Sequence, residues 1–464
     1  MTVTNDSPTA ASSSAGPWWR LLEPYDWFVL LVASGAWFFD CLDQRLFSLA
    51  RIPALVSLMH KPATDVDVQS FGKVVTAFFL IGWAIGGLIF GSLGDKFGRA
   101  RMLTLTILTY SIFTGLSFFS RTKVDFTLFR FLTGLGVGGV FGLAVSLIAE
   151  TVPTGARVQS LGLLQILSTF GNIASAFIKM GIDSLEKSQV IASGQSWRWL
   201  FLVGAVPALL VVFTGRRPRE PEPWLRLKAA GMLPKGSIFA PYAKLLRDQR
   251  WRKSLIVGAL IASTGVVGLW AIGEYAVDLQ RAVFTTYYKA RFGADAAKPL
   301  VNSAINHAFL LNMLGAAAGM WLFTRLAAAT GRRFAFAVGF LAALLITFAV
   351  YWKMNSPSDA YWMMPLMGAA QLGLFAGFSI YLPELFPGSL RSTGVSFCYN
   401  VGRLAAAAGS FFSSALTRDV FGKYASPLPL RYAAMTMCAI FLVGLATLPF
   451  APETRGQPLP EETQ

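Results

Sequence analysis

The chain has 464 residues, of which 54% are hydrophobic and only 14% charged, with 38 Phe and 13 Trp. Soluble domains carry about 25% charged residues, so the composition excludes a soluble enzyme or a soluble binding module. The net charge of +16 does not mark a nucleic-acid face, because Lys and Arg sit in short loops between apolar runs, the positive-inside pattern of a membrane protein.

The N-terminal stretch MTVTNDSPTAASSSAG lacks a basic segment followed by an apolar core. Residues 1–25 therefore read as a disordered tail rather than a cleaved signal peptide. Twelve apolar spans follow, near 27–58, 71–93, 102–120, 125–149, 157–180, 198–214, 254–284, 300–326, 334–352, 361–383, 392–417 and 430–450. The first and seventh are long, which predicts tilt or projection beyond the bilayer. The polar stretch 215–253 divides the spans six and six, and holds eleven Lys and Arg against Glu220, Glu222 and Asp248. Its charge places it in the cytoplasm, and an even number of spans puts both termini there. The expected organisation is all-α: a tail (1–25), an N-terminal six-helix bundle (26–214), a cytoplasmic basic linker (215–253), a C-terminal six-helix bundle (254–450) and a cytoplasmic tail (451–464).

The halves are related. Glu150-x-x-Pro153-x-x-x-Arg157 reappears as Glu384-x-x-Pro387-x-x-x-Arg391, an offset of 234. Gly82-x-x-x-Gly86 and Gly98-Arg99 reappear as Gly315-x-x-x-Gly319 and Gly331-Arg332, an offset of 233. Three matches in order argue for an internal duplication that preserves direction.

Within the spans, the charged and polar residues are the informative ones. Span one contains WFFDCLDQRLF, which places Asp40 about 20 Å along the helix from Trp27, past mid-membrane. An Asp at the centre of a span costs about 2.5–3.5 kcal/mol on insertion. Asp40, Asp43 and Gln44 share one face. Arg45 lies about 140° round from Asp40, and its role stays open. Two ionised acids within one helical turn repel, so a proton is expected at this site; the alternative is that Arg45 or Arg130 pairs with the acids and merely holds helices together. At the offset of 234, Asp40 maps onto Glu274 of span seven, a third candidate for proton coupling, with Asp278 one turn later. Span five carries a stripe of Gln165, Thr169 and Asn172; span eight has Asn302, Asn306 and His307; span ten has Gln371. In span eleven, Tyr399 and Arg403 share a face with Asn400 beside them. Arg403 lies about 18 Å along that helix from Arg391, near mid-bilayer, and its planar fork suits a carboxylate.

Gln165 and Thr169 map onto Tyr399 and Arg403, as polar faces around a central cavity would. The expected substrate-binding set is Arg403, Tyr399, Asn400, Gln165, Thr169, Asn306 and Gln371. Equally open are hydrogen bonds between helices, and an ion pair of Arg403 with Asp40, Asp43 or Glu274. Trp37, Trp83, Trp270 and Phe375 are available as packing or as walls of a site. Cys41, Cys398 and Cys438 all fall in apolar runs, and only His60 and His307 complete the set of soft ligands, so neither a metal nor a cofactor is expected.

The loop after span two, Gly91-x-x-x-Asp95-Lys96-x-Gly98-Arg99, resembles the loop signature of the major facilitator superfamily. RFLTGLGVGG from Arg130 resembles its fourth-span motif. PEPWL (221–225), PETRG (452–456) and the two Glu-x-x-Pro-x-x-x-Arg loops resemble the sugar-porter and organic-ion branch. The resemblance implies twelve helices in two pseudo-symmetric bundles around a central cavity. It also implies cytoplasmic latches between the halves, formed by Asp95, Arg99, Glu150, Arg157, Glu384 and Arg391. The second copy keeps Gly331-Arg332-Arg333 but has no acid matching Asp95. DCLD in span one resembles the Asp-Gly-x-Asp of proton symporters for aromatic and short-chain acids, with Cys41 at the glycine and Val140 where those symporters often carry Glu. In related organic-anion carriers a basic residue of span eleven is associated with the substrate, and Arg403 matches it.

The expectation is a monomeric secondary transporter in a bacterial inner membrane, coupling protons to uptake of a small organic anion such as an aromatic acid or monocarboxylate. Lipid, protons and that anion are its partners, and nucleic acid is not. The alternatives are a sugar or polyol:proton symporter, an organic-cation or drug exporter with Asp40 and Asp43 as counter-charges, and a non-transporting receptor. No nucleophile–base set or phosphate-binding loop points to an enzyme.

Overall fold

A computed structural model describes residues 16–62, 65–207, 218–273 and 275–461. The apolar runs fold as helices because a bilayer core offers no water to backbone N–H and C=O groups, which a helix pairs internally. The first half comprises α1 (Pro24–Met59), α2 (Val66–Phe97), α3 (Arg99–Leu116), α4 (Lys123–Thr151), α5 (Thr154–Lys187) and α6 (Ser196–Gly204). Two short helices, α7 (Glu222–Ala229) and α8 (Ala240–Arg247), lie in the linker. The second half comprises α9 (Gln249–Val267), α10 (Tyr275–Thr330), α11 (Arg332–Lys353), α12 (Pro357–Tyr381), α13 (Arg391–Ala415), α14 (Leu428–Met437) and α15 (Ile440–Thr447). A π-helical stretch, Gly268–Gly273, follows α9. Gly293, at φ 80°, breaks α10 into two spans, a conformation that glycine adopts without a Cβ clash.

Nine stretches among the described residues are long and apolar enough to cross a bilayer. Dividing the stretch Gln249–Thr330 at Gly293 makes ten. The remaining two are α6, which covers the start of span six, and α13, whose Arg403, Asn400 and serines lower its hydropathy. All twelve expected spans thus have a helix. The end of span six and the start of the linker (208–217) lie outside the described residues, as does Glu274.

The duplication corresponds to a repeated helix contact. A Cβ on Gly82 or Gly86 of α2 would lie 2.2 and 1.9 Å from carbonyl oxygens of α4. On Gly315 or Gly319 of α10 it would lie 2.0 and 2.2 Å from those of α12. In both halves two glycines let one helix press backbone to backbone on another.

The turns α4–α5 and α12–α13, the linker helices and both described chain ends gather at one end of the molecule, the linker end. Leu21 reaches Gly155 there, and Arg391 Nη2 donates to the Pro460 carbonyl at 3.5 Å. Of the expected N-terminal tail, the first fifteen residues lie outside the described ones. Trp18–Leu21 form a 3-10 turn, with the Trp18 ring 6.2 Å from Trp27. That part of the tail is ordered because its aromatic rings have a partner on α1.

Candidate functional site

At the linker end, Asp95 sits at the close of α2, fully buried, and reaches across to the second half. Its carboxylate accepts the N–H groups of Ser392 (3.1 Å) and Thr393 (2.8 Å) and the Thr393 hydroxyl (2.6 Å). These residues open α13, where unpaired N–H groups and the helix dipole favour an anion. Asp95 also pairs with Arg99 at 3.1 Å. Arg99 pairs with Glu150 at 3.1 Å and donates to the Gly388 carbonyl of the second half. Glu150 Oε1 takes a further bond from Arg391 Nη1, at 2.6 Å. A buried chain of alternating charge therefore ties the halves together here.

The second half does not mirror this. Glu384 accepts two bonds from Arg332 (2.8 and 3.0 Å) and one from Thr454 (2.5 Å), all within its own half. Its carboxylate is thereby filled, and Arg157 reaches only the Thr154 hydroxyl, at 3.3 Å. Of the six residues expected to latch the halves, Arg157 and Glu384 therefore make no ion pair across them among the described residues.

Two glutamates escaped sequence reasoning. Glu220 accepts the N–H groups of Ala100 (3.1 Å) and Arg101 (3.0 Å) at the start of α3. Glu453 accepts those of Arg332 (2.9 Å) and Arg333 (3.0 Å) at the start of α11. Partial burial pushes the Glu453 carboxyl up, but the N–H groups of Arg332, Arg333, Arg455 and Thr454 outweigh it and hold the carboxyl below its usual range. Glu220 and Glu453 are 233 residues apart, the offset of the duplication. That spacing was the available signal.

At mid-height the two acids of α1 part company. Asp43 points into the first half, 3.7 Å from Arg130 Nη1. Arg130 also donates to the Ser117 hydroxyl (2.8 Å) and lies 4.5 Å over the Phe201 ring. Asp40 is fully buried, with Gln44 of its own helix beside its carboxyl, and no ion pair reaches it among the described residues. Arg403, from the second half, acts on it electrostatically without forming an ion pair. Arg403 lies 3.6 Å over the Trp83 ring and 4.2 Å over Tyr399, with Nε and Nη1 unpartnered.

Aromatic rings close the centre around this pair. Tyr399 stacks on Phe141 at 3.8 Å, and Phe141 meets Trp37 at 5.2 Å. Trp37 Nε1 donates to Gln165 Oε1 (2.8 Å), and Gln165 Nε2 donates across the halves to the Phe375 carbonyl (3.3 Å). Trp37, Phe141, Phe375 and Tyr399 are all buried. Phe141 carries no polar atom, so nothing in its sequence context singled it out.

The other expected site residues are placed unequally. Thr169 spends its hydroxyl on its own helix, at Ile166 O (2.7 Å). Asn400 Nδ2 bonds Ser396 O (2.8 Å), and the side chain packs over Gly87. Gln371 donates to the Thr347 hydroxyl (3.0 Å) and lines a cavity. Asn306 is exposed, as is His307, and lines none of the described cavities between the halves. The inner face of α10 is carried instead by Ile305, Phe309, Asn312 and Met313, a 3- to 4-residue spacing that turns Asn306 away.

Beyond the aromatic belt, toward the end opposite the latch, lie two cavities between the halves. One, of about 70 Å³, is lined by Arg45, Gln280, Phe309, Asn312 and Gln371 among others. The second, of about 360 Å³, is lined by Arg45, Trp270, Tyr275, Val277, Asp278 and Ser410. The molecule is thus bolted at the linker end and hollow at the other. Among the described residues no group of His, Cys, Asp and Glu is arranged to hold a metal.

The sequence pattern of the family described as "Sugar (and other) transporter" matches residues 47–231. A cis,cis-muconate transport protein of Acinetobacter baylyi is 28% identical, with 84% of this chain and 85% of that protein covered. A benzoate transport protein of the same species is 22% identical, covering 91% and 90%. A solved proton:xylose symporter shares the fold, with a TM-score of 0.71 at 18% identity over 94% of this chain and 98% of the other. The latch motif, the duplicated bundles and these relatives agree: the chain is a multi-pass membrane transporter, not an enzyme, with the fold of the major facilitator superfamily, whose members it resembles.

Proposed function

We propose that the protein couples inward proton movement to uptake of a small organic anion, an aromatic acid or monocarboxylate. In this reading it works as a monomer in a bacterial inner membrane, with linker and termini in the cytoplasm. The observation that carries the reading is Asp40: a fully buried carboxyl that, unlike Asp43, has no ion-pair partner among the described residues and feels an Arg403 that is itself incompletely satisfied. An isolated ion buried this way is costly unless paired or neutralised. When a substrate carboxylate takes the Arg403 fork, Asp40 loses its counter-charge and needs a proton. Anion and proton then load together. After both leave on the cytoplasmic side, Asp40 and Arg403 neutralise one another and the empty centre can return. Asp43, held by Arg130, keeps a structural part in this scheme. Glu274 keeps its assignment as a coupling acid from sequence alone. Tyr399, Phe141 and Trp37 pack a flat substrate, while Gln165, Thr169, Asn400 and Gln371 supply polar contacts as the centre opens.

The latch residues Asp95, Arg99, Glu150 and Arg391 hold the cytoplasmic side shut. Arg157, Arg332 and Glu384 are positioned to re-pair when the halves rock. The names of the muconate and benzoate relatives support an organic acid as cargo. The test uses purified protein in liposomes loaded with a pH-sensitive dye. Proton entry driven by benzoate, and not by xylose or glucose, is the predicted result. Entry driven by a sugar alone would overturn the proposal in favour of a sugar porter.

A further inference from the structure

We propose that Arg45 forms a second anion site, an entry port in which a monocarboxylate docks before it reaches Arg403; this rests on the organic-anion reading above. Arg45 follows Asp40 on α1 by about 7.5 Å along the axis and about 140° around it, so it faces a different space. Its guanidinium lies 4.2 Å over the ring of Phe309, on α10 of the opposite half. No carboxylate among the described residues lies within ion-pair distance of it. An arginine presents a planar fork that matches a carboxylate.

Both cavities beyond the aromatic belt meet at Arg45 and Val277. The larger, of about 360 Å³, falls in the size range of small-molecule pockets, about 300–1,000 Å³. The smaller, of about 70 Å³, has room for water but not for a ring, and leads inward to Gln371. Arg45 therefore stands where a ring-sized solute must stop until the halves shift. A second, independent sign of a ligand is Gln280 on the smaller cavity, 1% exposed with Oε1 unpartnered. An unmet amide in a cavity wall is expensive unless a ligand or water completes it.

The chamber also sets the charge of its guest. Among the described residues that line it, it offers one guanidinium, that of Arg45, and Asp278 of α10 lines the same space. A single carboxylate bonds to Arg45 with its apolar body against Trp270 and Val277. A second carboxylate would meet Asp278 and be repelled. The port therefore selects monoanions, and the centre at Arg403 receives what the port admits.

The experiment titrates the full chain in lipid nanodiscs by calorimetry with benzoate, its neutral isostere benzamide, and cis,cis-muconate. Wild type binds benzoate more tightly than benzamide and muconate. Arg45→Gln weakens benzoate at least tenfold and leaves benzamide unchanged, whereas Arg45→Lys recovers part of the loss. A parallel measurement needs no variant: saturating benzoate slows modification of Arg45 by phenylglyoxal at least tenfold, read by mass spectrometry on wild-type protein. If wild type binds neither acid, the organic-anion reading falls and the port with it. If wild type binds benzoate but Arg45→Gln binds it within twofold, or Arg45 is modified at the same rate with and without benzoate, the port alone falls.

Discussion

Replacing Asp95 by Asn tests how the halves are held. The carboxylate takes two backbone N–H groups and a hydroxyl from the start of α13, and pairs with Arg99. Hydrogen bonds to a charged group contribute about 1.5–3 kcal/mol each. Asparagine keeps one acceptor oxygen, but its NH2 group faces N–H donors, and Arg99 loses one of its two acids. Weakening the bonds to Ser392 and Thr393 by the equivalent of two of these should cost the latch-closed state about 3 kcal/mol. Because these bonds cross between the halves, the loss falls on one conformer only, and 1.4 kcal/mol per decade turns it into a shift of roughly 100-fold in population. Spin labels at Thr154 and Thr330, exposed at the linker end in opposite halves, report the opening as a distance distribution. Wild type should be dominated by the short distance, and Asp95→Asn should populate the long one substantially. A distribution unchanged from wild type refutes the latch.

Three further outcomes follow from the geometry. Arg130→Leu leaves Asp43 buried without its counter-charge and should lower unfolding stability by about 3–5 kcal/mol; adding Asp43→Asn should recover part of that in thermal unfolding, and no recovery argues against the pair. Gly86→Ala and Gly319→Ala drive a methyl group into the facing helix backbone and should each destabilise by about 1–3 kcal/mol. Gly35→Ala, with nothing within 4 Å, should be neutral, which makes it the control in the same assay. Arg403→Ala should abolish uptake of the organic anion in liposomes while leaving the Arg45 site intact, and uptake at the wild-type rate removes Arg403 from the central site.

Much of this architecture is written locally. Span lengths, the six-and-six division and the glycine pairs at an offset of 233 all have structural counterparts, because helix length and close backbone contact depend on short-range composition. Partner choice is less legible. Asp40 and Asp43 look equivalent in DCLD, yet Asp43 has an ion-pair partner in Arg130 and Asp40 has none among the described residues, a difference set by which neighbouring helix each one faces. The latch residues stand out by motif, but Glu384 turns inward because Arg332 and Thr454, distant in sequence, reach it first. Asn306 suggested a cavity wall by its chemistry alone. The helical phase of Ile305, Phe309 and Met313 was readable and argued the other way. Phe141 offered no sequence signal, since an aromatic in an apolar helix is ordinarily packing.

The coupling of proton to anion at Asp40 is tested most directly by Asp40→Asn in dye-loaded liposomes, with substrate counterflow measured on the same preparation. Coupling through Asp40 predicts that counterflow of the organic anion persists while substrate-driven acidification disappears. Acidification at the wild-type rate and stoichiometry in the variant would contradict it.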